Sequence, residues 1–93
     1  MLKSYSSICI PRVDTNIKRR YIYDIINKLQ IGDIENINEI PLRNDPHHKR
    51  VIITMKWDVT SDLTKYMQDK FDEIGSVKVV HDTPWYWKIC PAR

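Results

Sequence analysis

Only two residues of this chain are glycine, Gly32 and Gly75, and each directly follows a stretch with helical apolar spacing. Glycine readily takes the left-handed conformation that ends a helix, so the pair marks two helix stops. Before Gly32, residues Ile17, Tyr21, Ile22, Ile25, Ile26 and Leu29 recur on one helical face and leave charged residues on the other. Asp14, Thr15 and Asn16 offer N-cap oxygens at its start. Before Gly75 the design repeats: Thr60 or Ser61 caps, and Leu63, Tyr66, Met67, Phe71 and Ile74 form the stripe.

The rest of the chain divides into strand-like pieces. Residues 7–13 form a short apolar strand, and 34–42 is isoleucine-rich with interleaved polar residues. Residues 50–58 alternate, with Val51, Ile53, Met55 and Trp57 on one face and Arg50, Ile52, Thr54, Lys56 and Asp58 on the other. Asn44-Asp45-Pro46 carries turn chemistry, so these two segments pair as a hairpin. Residues 77–80 and 85–90 follow the second helix, separated by Asp82-Thr83-Pro84. Each helix needs a sheet face for its stripe. The expected fold is therefore α+β, a ferredoxin-like βαββαβ sandwich: a four-stranded antiparallel sheet with two helices on one face and the other face open. A short extra strand before the last one is the variant this order allows.

Ninety-three residues suit a single domain, 1–93, with one modest core. Apolar content of 42% with 29% charged residues fits a folded globular chain. No apolar run approaches the roughly 20 residues of a membrane span, and the start, with Pro11 and Arg12 close behind a few apolar residues, does not read as a secretory leader. Two cysteines, Cys9 and Cys90, outside any CxxC pair, point to free thiols and an intracellular protein. His47-His48 lacks zinc-site spacing, so no metal or cofactor is expected. The net charge of +3 permits a nucleic-acid partner without requiring one.

The strand Ile8-Cys9-Ile10-Pro11-Arg12-Val13, the segment from Arg50 to Trp57, and the closing Ile89-Cys90-Pro91-Ala92 stand where the RNA recognition motif (RRM) family carries its short motif, its long motif and its last-strand pattern. The chain resembles that family. It also looks like a group of short RRM-like proteins of large DNA viruses of algae and protists, which share I-x-I-P-R-V-D-T-N, the I-G after the first helix and P-W-Y-W near the end. A viral origin would place the protein in the host cytoplasm or nucleus. The resemblance implies an RRM-like binding module. Members that bind RNA stack bases on rings at the second position of the short motif and the third and fifth of the long one. This chain has Cys9, Ile52 and Thr54 there, and Val51 where the long motif has glycine. Stacking is worth about 1–3 kcal/mol per base, so most of the ordinary platform affinity is missing.

In the last strand, burying Lys88 unpaired would cost several kcal/mol. The favoured register puts Trp87 and Ile89 under the helices and Tyr86 and Lys88 on the open face, with Trp85 lidding the core edge. The topology also gathers Arg12, Lys18, Arg19, Arg20, Arg43, His47, His48, Lys49 and Arg50 at one edge, with Asp33, Glu35, Asp58 and Asp62 opposite. Three cations opening a helix run against its dipole and suggest a nearby anion, phosphate being one source; the plainer alternative is a solvated face balanced by Asp14 and Asp24. No nucleophile–base constellation or glycine-rich phosphate cradle is present, which points away from an enzyme. The expected activity is non-catalytic binding of single-stranded nucleic acid, RNA before DNA, through Arg12, Lys49, Arg50, Ile52, Thr54, Lys56, Tyr86 and Lys88. The alternative is a protein-interaction module whose open sheet meets an apolar segment or another copy, without nucleic acid.

Overall fold

In the computed structural model, which describes residues 7–92, the chain runs β1 (Ser7–Asp14), α1 (Arg19–Lys28), β2 (Gly32–Leu42), β3 (Asp45–Trp57), α2 (Asp62–Glu73), β4 (Val77–Asp82) and β5 (Trp85–Pro91). Residues 1–6 and 93 of the expected 1–93 domain lie outside the described residues. The fold is α+β with an antiparallel sheet and two helices. Among the described residues the sheet has five strands in the order β2-β3-β1-β5-β4, not the four of the βαββαβ expectation. The difference is β4, which is long enough to pair along β5 from Val77↔Ile89 to Asp82↔Trp85 and so becomes an edge strand.

One layer of side chains joins the sheet to the helices. Ile8, Ile10, Val13, Val51, Ile53, Met55, Val79, Trp87 and Ile89 from the strands meet Ile22, Ile26, Met67 and Phe71 from the helices in a single buried cluster. Two bulges adjust the register to keep this layer apolar. In β1, Ile10↔Val51 is followed by Val13↔Lys49, so one extra residue at Pro11-Arg12 turns Arg12 outward and Val13 inward. Pro11 has no N–H to lose from the ladder at such a point. In β2, Ile34↔Met55 is followed by Asn36↔Thr54, which lets Ile34 and Ile37 share the core face although they are three apart.

The helix ends differ in part from expectation. Ser61 caps α2, its hydroxyl accepting from the Thr64 N–H at 3.3 Å, and Gly75 follows with φ +94°. α1 begins at an N-cap Lys18 without any side-chain cap. Asp14 instead accepts from the Asn16 N–H in a tight turn, and Thr15 donates to the Pro46 carbonyl. The left-handed residue after α1 is Gln30, at φ +57°. Gly32 serves another purpose: a Cβ there would lie 2.2 Å from the Lys56 carbonyl oxygen, so glycine permits β2 to start hard against β3.

Candidate functional site

The sheet face away from the helices carries the residues of opposite parity. β3 contributes Arg50, Ile52, Thr54 and Lys56; β1 contributes Ser7 and Cys9; β5 contributes Tyr86, Lys88 and Cys90; β4 contributes Lys78 and Val80. Seven of the eight residues expected to bind lie on this side or at its rim: Arg12, Arg50, Ile52, Thr54, Lys56, Tyr86 and Lys88. Arg50 and Lys56 are exposed, Ile52 and Thr54 half-buried, and the Thr54 hydroxyl shares a hydrogen bond with Ser7 at 3.3 Å.

Lys49 lies on the other side. It continues the inward alternation of Val51 and Ile53, and its side chain is 11% exposed. Its ammonium donates to a Glu39 carboxylate oxygen and to the Ile17 carbonyl, and Arg19 completes the cluster by pairing with Glu39 at 3.2 Å. A buried ammonium needs such partners, so Lys49 is a structural cation. Glu39 is correspondingly held below the usual carboxylate range, first by the Lys49 hydrogen bond and then by charge from Lys49 and contact with Arg19.

Part of the expected basic edge is neutralised in the same way. Arg12 pairs with Asp45, whose carboxylate also meets His48 Nδ1 at 2.9 Å; His48, the His47 N–H and Arg12 together hold the Asp45 carboxyl low. Arg20 pairs with Asp24 at 3.3 Å. Two of the three cations that open α1 are thus answered by carboxylates of the protein itself.

Lys18, Lys28, Arg43 and Lys65 have no such answer among the described residues, and neither do three cations that the open face brings together. Arg50, Lys78 and Lys88 make no ion pair among the described residues, and Lys78 stands directly opposite Lys88. Lys56 faces Asp33 across the β2–β3 ladder. The Lys78 ammonium sits 5.0 Å from the centroid of Tyr86, whose side chain is half exposed. A like-charged pair facing across two strands is destabilising by a few tenths of a kcal/mol.

Beyond Cys9↔Cys90 and Ile8↔Pro91, β1 and β5 are not paired, and the fork between them opens a cleft of about 550 Å³. Arg12 and His48 form one wall; Trp85 and Tyr86 form the other. Its floor is an aromatic stack in which His81 lies on Trp87, ring centroids 4.3 Å apart, and the Tyr21 hydroxyl reaches His81 Nδ1 at 3.1 Å. Trp87 and Ile89 are buried as the lysine argument required, whereas Trp85 is 66% exposed and does not lid the core. At the fork no β1 residue stands beside it, and Trp87 with His81 already fills the space beneath. Sequence reasoning missed Lys78 as the neighbour of Tyr86 and His81 as the ring stacked on Trp87; pairing β4 with β5 as a hairpin would have set Lys78 opposite Lys88 and beside Tyr86.

Among the described residues no group of three or more His, Cys, Asp or Glu gathers as a metal site, and no helix is long and apolar enough to cross a membrane. No protein-family model matches the chain, and neither a curated protein nor a solved structure matches it.

Proposed function

We propose that this chain is a non-catalytic, RRM-like module that binds single-stranded nucleic acid, RNA in preference to DNA, across its open sheet face. The observation that carries the reading is the set Arg50, Lys78 and Lys88, unpaired by any described carboxylate and flanked by the half-exposed Tyr86. A phosphate between Lys78 and Lys88 turns their mutual repulsion into attraction, and a base stacking on Tyr86 takes the place of the Lys78 ammonium over the ring. Ile52 and Thr54 supply a low floor without rings, so affinity rests on phosphate contacts and sequence preference is weak. The chemistry of the site supports binding over catalysis. Burial pushes the Cys9 thiol up, the opposite of an activated nucleophile. Asp45 and Glu39 are occupied as ion-pair acceptors.

The test is fluorescence anisotropy with labelled single-stranded RNA, single-stranded DNA and duplex over a salt series. Three phosphate contacts predict a log–log salt slope of about −2 on single strands. Tyr86→Ala should weaken binding about five-fold or more. Absence of binding at low salt, or binding that Lys88→Ala and Tyr86→Ala leave unchanged, overturns the proposal. A second reading, a protein-interaction surface, is favoured by Val80 and Trp85, apolar side chains 61% and 66% exposed on the β4–β5 hairpin. A molecular mass that rises with concentration, lost in Trp85→Ser, supports that reading.

A further inference from the structure

Cys9 and Cys90 are the chain's two cysteines, 81 positions apart in sequence, and the fold sets them side by side. They are register partners in the β1–β5 ladder, beside Ile8↔Pro91 among the described residues. The Ala92 N–H donates to the Ser7 carbonyl at 3.1 Å. Cys9↔Cys90, one step of two residues along, is therefore also a hydrogen-bonded pair, for which antiparallel strands hold the Cα atoms about 5.5 Å apart. Disulfides take Cα separations of about 4.4–6.8 Å and Cβ separations of about 3.5–4.5 Å. The Cα frame is in range, and the Cβ atoms, about 5.5 Å apart in a regular hydrogen-bonded pair, close by about 1 Å as the bond forms. Both side chains point to the open face, since Ile8, Ile10 and Ile89 point inward, and both are half-buried and so partly accessible. The Cys90 thiol lies 3.6 Å from the carbonyl oxygen of Cys9.

We infer that Cys9 and Cys90 form a dithiol site that exchanges with a small-molecule disulfide such as oxidised glutathione, closing a cross-strand disulfide that fastens β5 to β1. In the first step one protein thiolate attacks a glutathione sulfur; the glutathione S–S bond breaks and one glutathione thiolate leaves. In the second step the neighbouring protein thiol loses its proton to solvent and attacks the protein sulfur of the mixed disulfide, expelling the second glutathione. The two protein thiols lose two electrons, and oxidised glutathione gains them as two reduced molecules. Burial and then Cys90 push the Cys9 thiol up, with Arg50 opposing them, so closure accelerates as the pH rises above neutral. The bond bridges the weakest ladder of the sheet and holds Tyr86 and Lys88 at a fixed distance from Arg50.

The experiment incubates the folded protein with graded ratios of reduced and oxidised glutathione, quenches with acid and measures intact mass and tryptic peptides. The expected product has lost two hydrogens, carries no glutathione and links peptide 4–12 to peptide 89–93. Its thermal midpoint is higher than that of the reduced protein by about 10 °C or more. Cys9→Ser and Cys90→Ser each stop at a single mixed disulfide and show no such rise. A protein carrying two glutathiones, a disulfide-linked dimer, or an internal bond that forms only in denaturant overturns the inference.

Discussion

Replacing Glu39 by glutamine tests the assignment of Lys49 as a structural cation. In the parent protein the Lys49 ammonium, 11% exposed, is held by Glu39 and by the Ile17 carbonyl. Glu39→Gln keeps the shape and removes the charge, leaving a nearly buried ammonium with neutral partners. Removing one member of a fully buried pair costs about 3–5 kcal/mol. The Glu39 side chain is 26% exposed, so water screens part of that loss and about 2 kcal/mol is the expected destabilisation. For a domain of this size that lowers the thermal midpoint by roughly 10 °C. The pH dependence gives an independent check. Because Glu39 titrates lower in the folded protein than in the unfolded chain, its contribution is complete above the unfolded value, about 4.3, and is lost as the pH falls through the lower folded value. Parent and variant should therefore converge in acid, where the parent's Glu39 is itself neutral. Lys49→Met removes the buried charge; combined with Glu39→Gln it should recover at least half the loss, since an apolar side chain needs no counter-charge there. The assay is circular-dichroism melting at pH 7 and at pH 3. A Glu39→Gln protein that melts with the parent at neutral pH, or a gap that persists unchanged at pH 3, would refute the reasoning. Lys49→Met should also leave nucleic-acid binding where it was.

Lys78→Glu creates an opposed Lys–Glu pair with Lys88 and should raise stability by a few tenths of a kcal/mol in melting, while weakening single-strand binding in anisotropy. An equal loss of stability and binding would mean that the face is not organised around an anion. Gly32→Ala drives a Cβ to 2.2 Å from the Lys56 carbonyl and 2.9 Å from the Trp57 Cα, both backbone atoms. It should cost about 2 kcal/mol or more, measured by urea unfolding. Gln68, 3% exposed on α2, finds no partner for either amide atom among the described residues. Gln68→Met should stabilise the protein by about 1 kcal/mol, checked by the same unfolding curve.

The parts of the fold that follow from alternation were legible in the sequence. β3 shows this best: the parity of Val51, Ile53, Met55 and Trp57 placed Ile52, Thr54 and Lys56 on the open face, and the desolvation cost of Lys88 fixed β5 the right way round. The same alternation, extended two residues back from Val51, already turns Lys49 inward. Ending the strand at Arg50 hid that. What the sequence withheld depends on long-range partners. Asp45 and Glu39 look like ordinary surface acids until β1, the β2–β3 hairpin and α1 bring Arg12 to the first and Lys49 and Arg19 to the second. Bulges are equally silent, because one extra residue at Pro11-Arg12 reverses the parity of everything after it. Trp85 was misplaced for a related reason: its parity is inward, but parity buries a side chain only where a neighbouring strand and a helix cover it, and β1 has diverged by then.

These pairings shift the weight of the candidate site from the edge of the fold to its face. A cation already paired within the protein contributes less to a polyanion than a free one, since its charge is already partly neutralised and binding must break or share the internal pair. A cation without a partner releases a counterion from the nucleic acid at no such cost. Arg12, Arg19, Arg20 and Lys49 belong to the first kind; Arg50, Lys78 and Lys88 belong to the second. The distinction has a measurable form. If the edge still contributed, charge removal at Arg19 or Arg20 would flatten the salt slope as much as removal at Lys88 does. If the face is the site, Lys78→Ala and Lys88→Ala each reduce the slope by close to one contact's worth, about 0.7 on single strands, and Arg19→Ala leaves it unchanged.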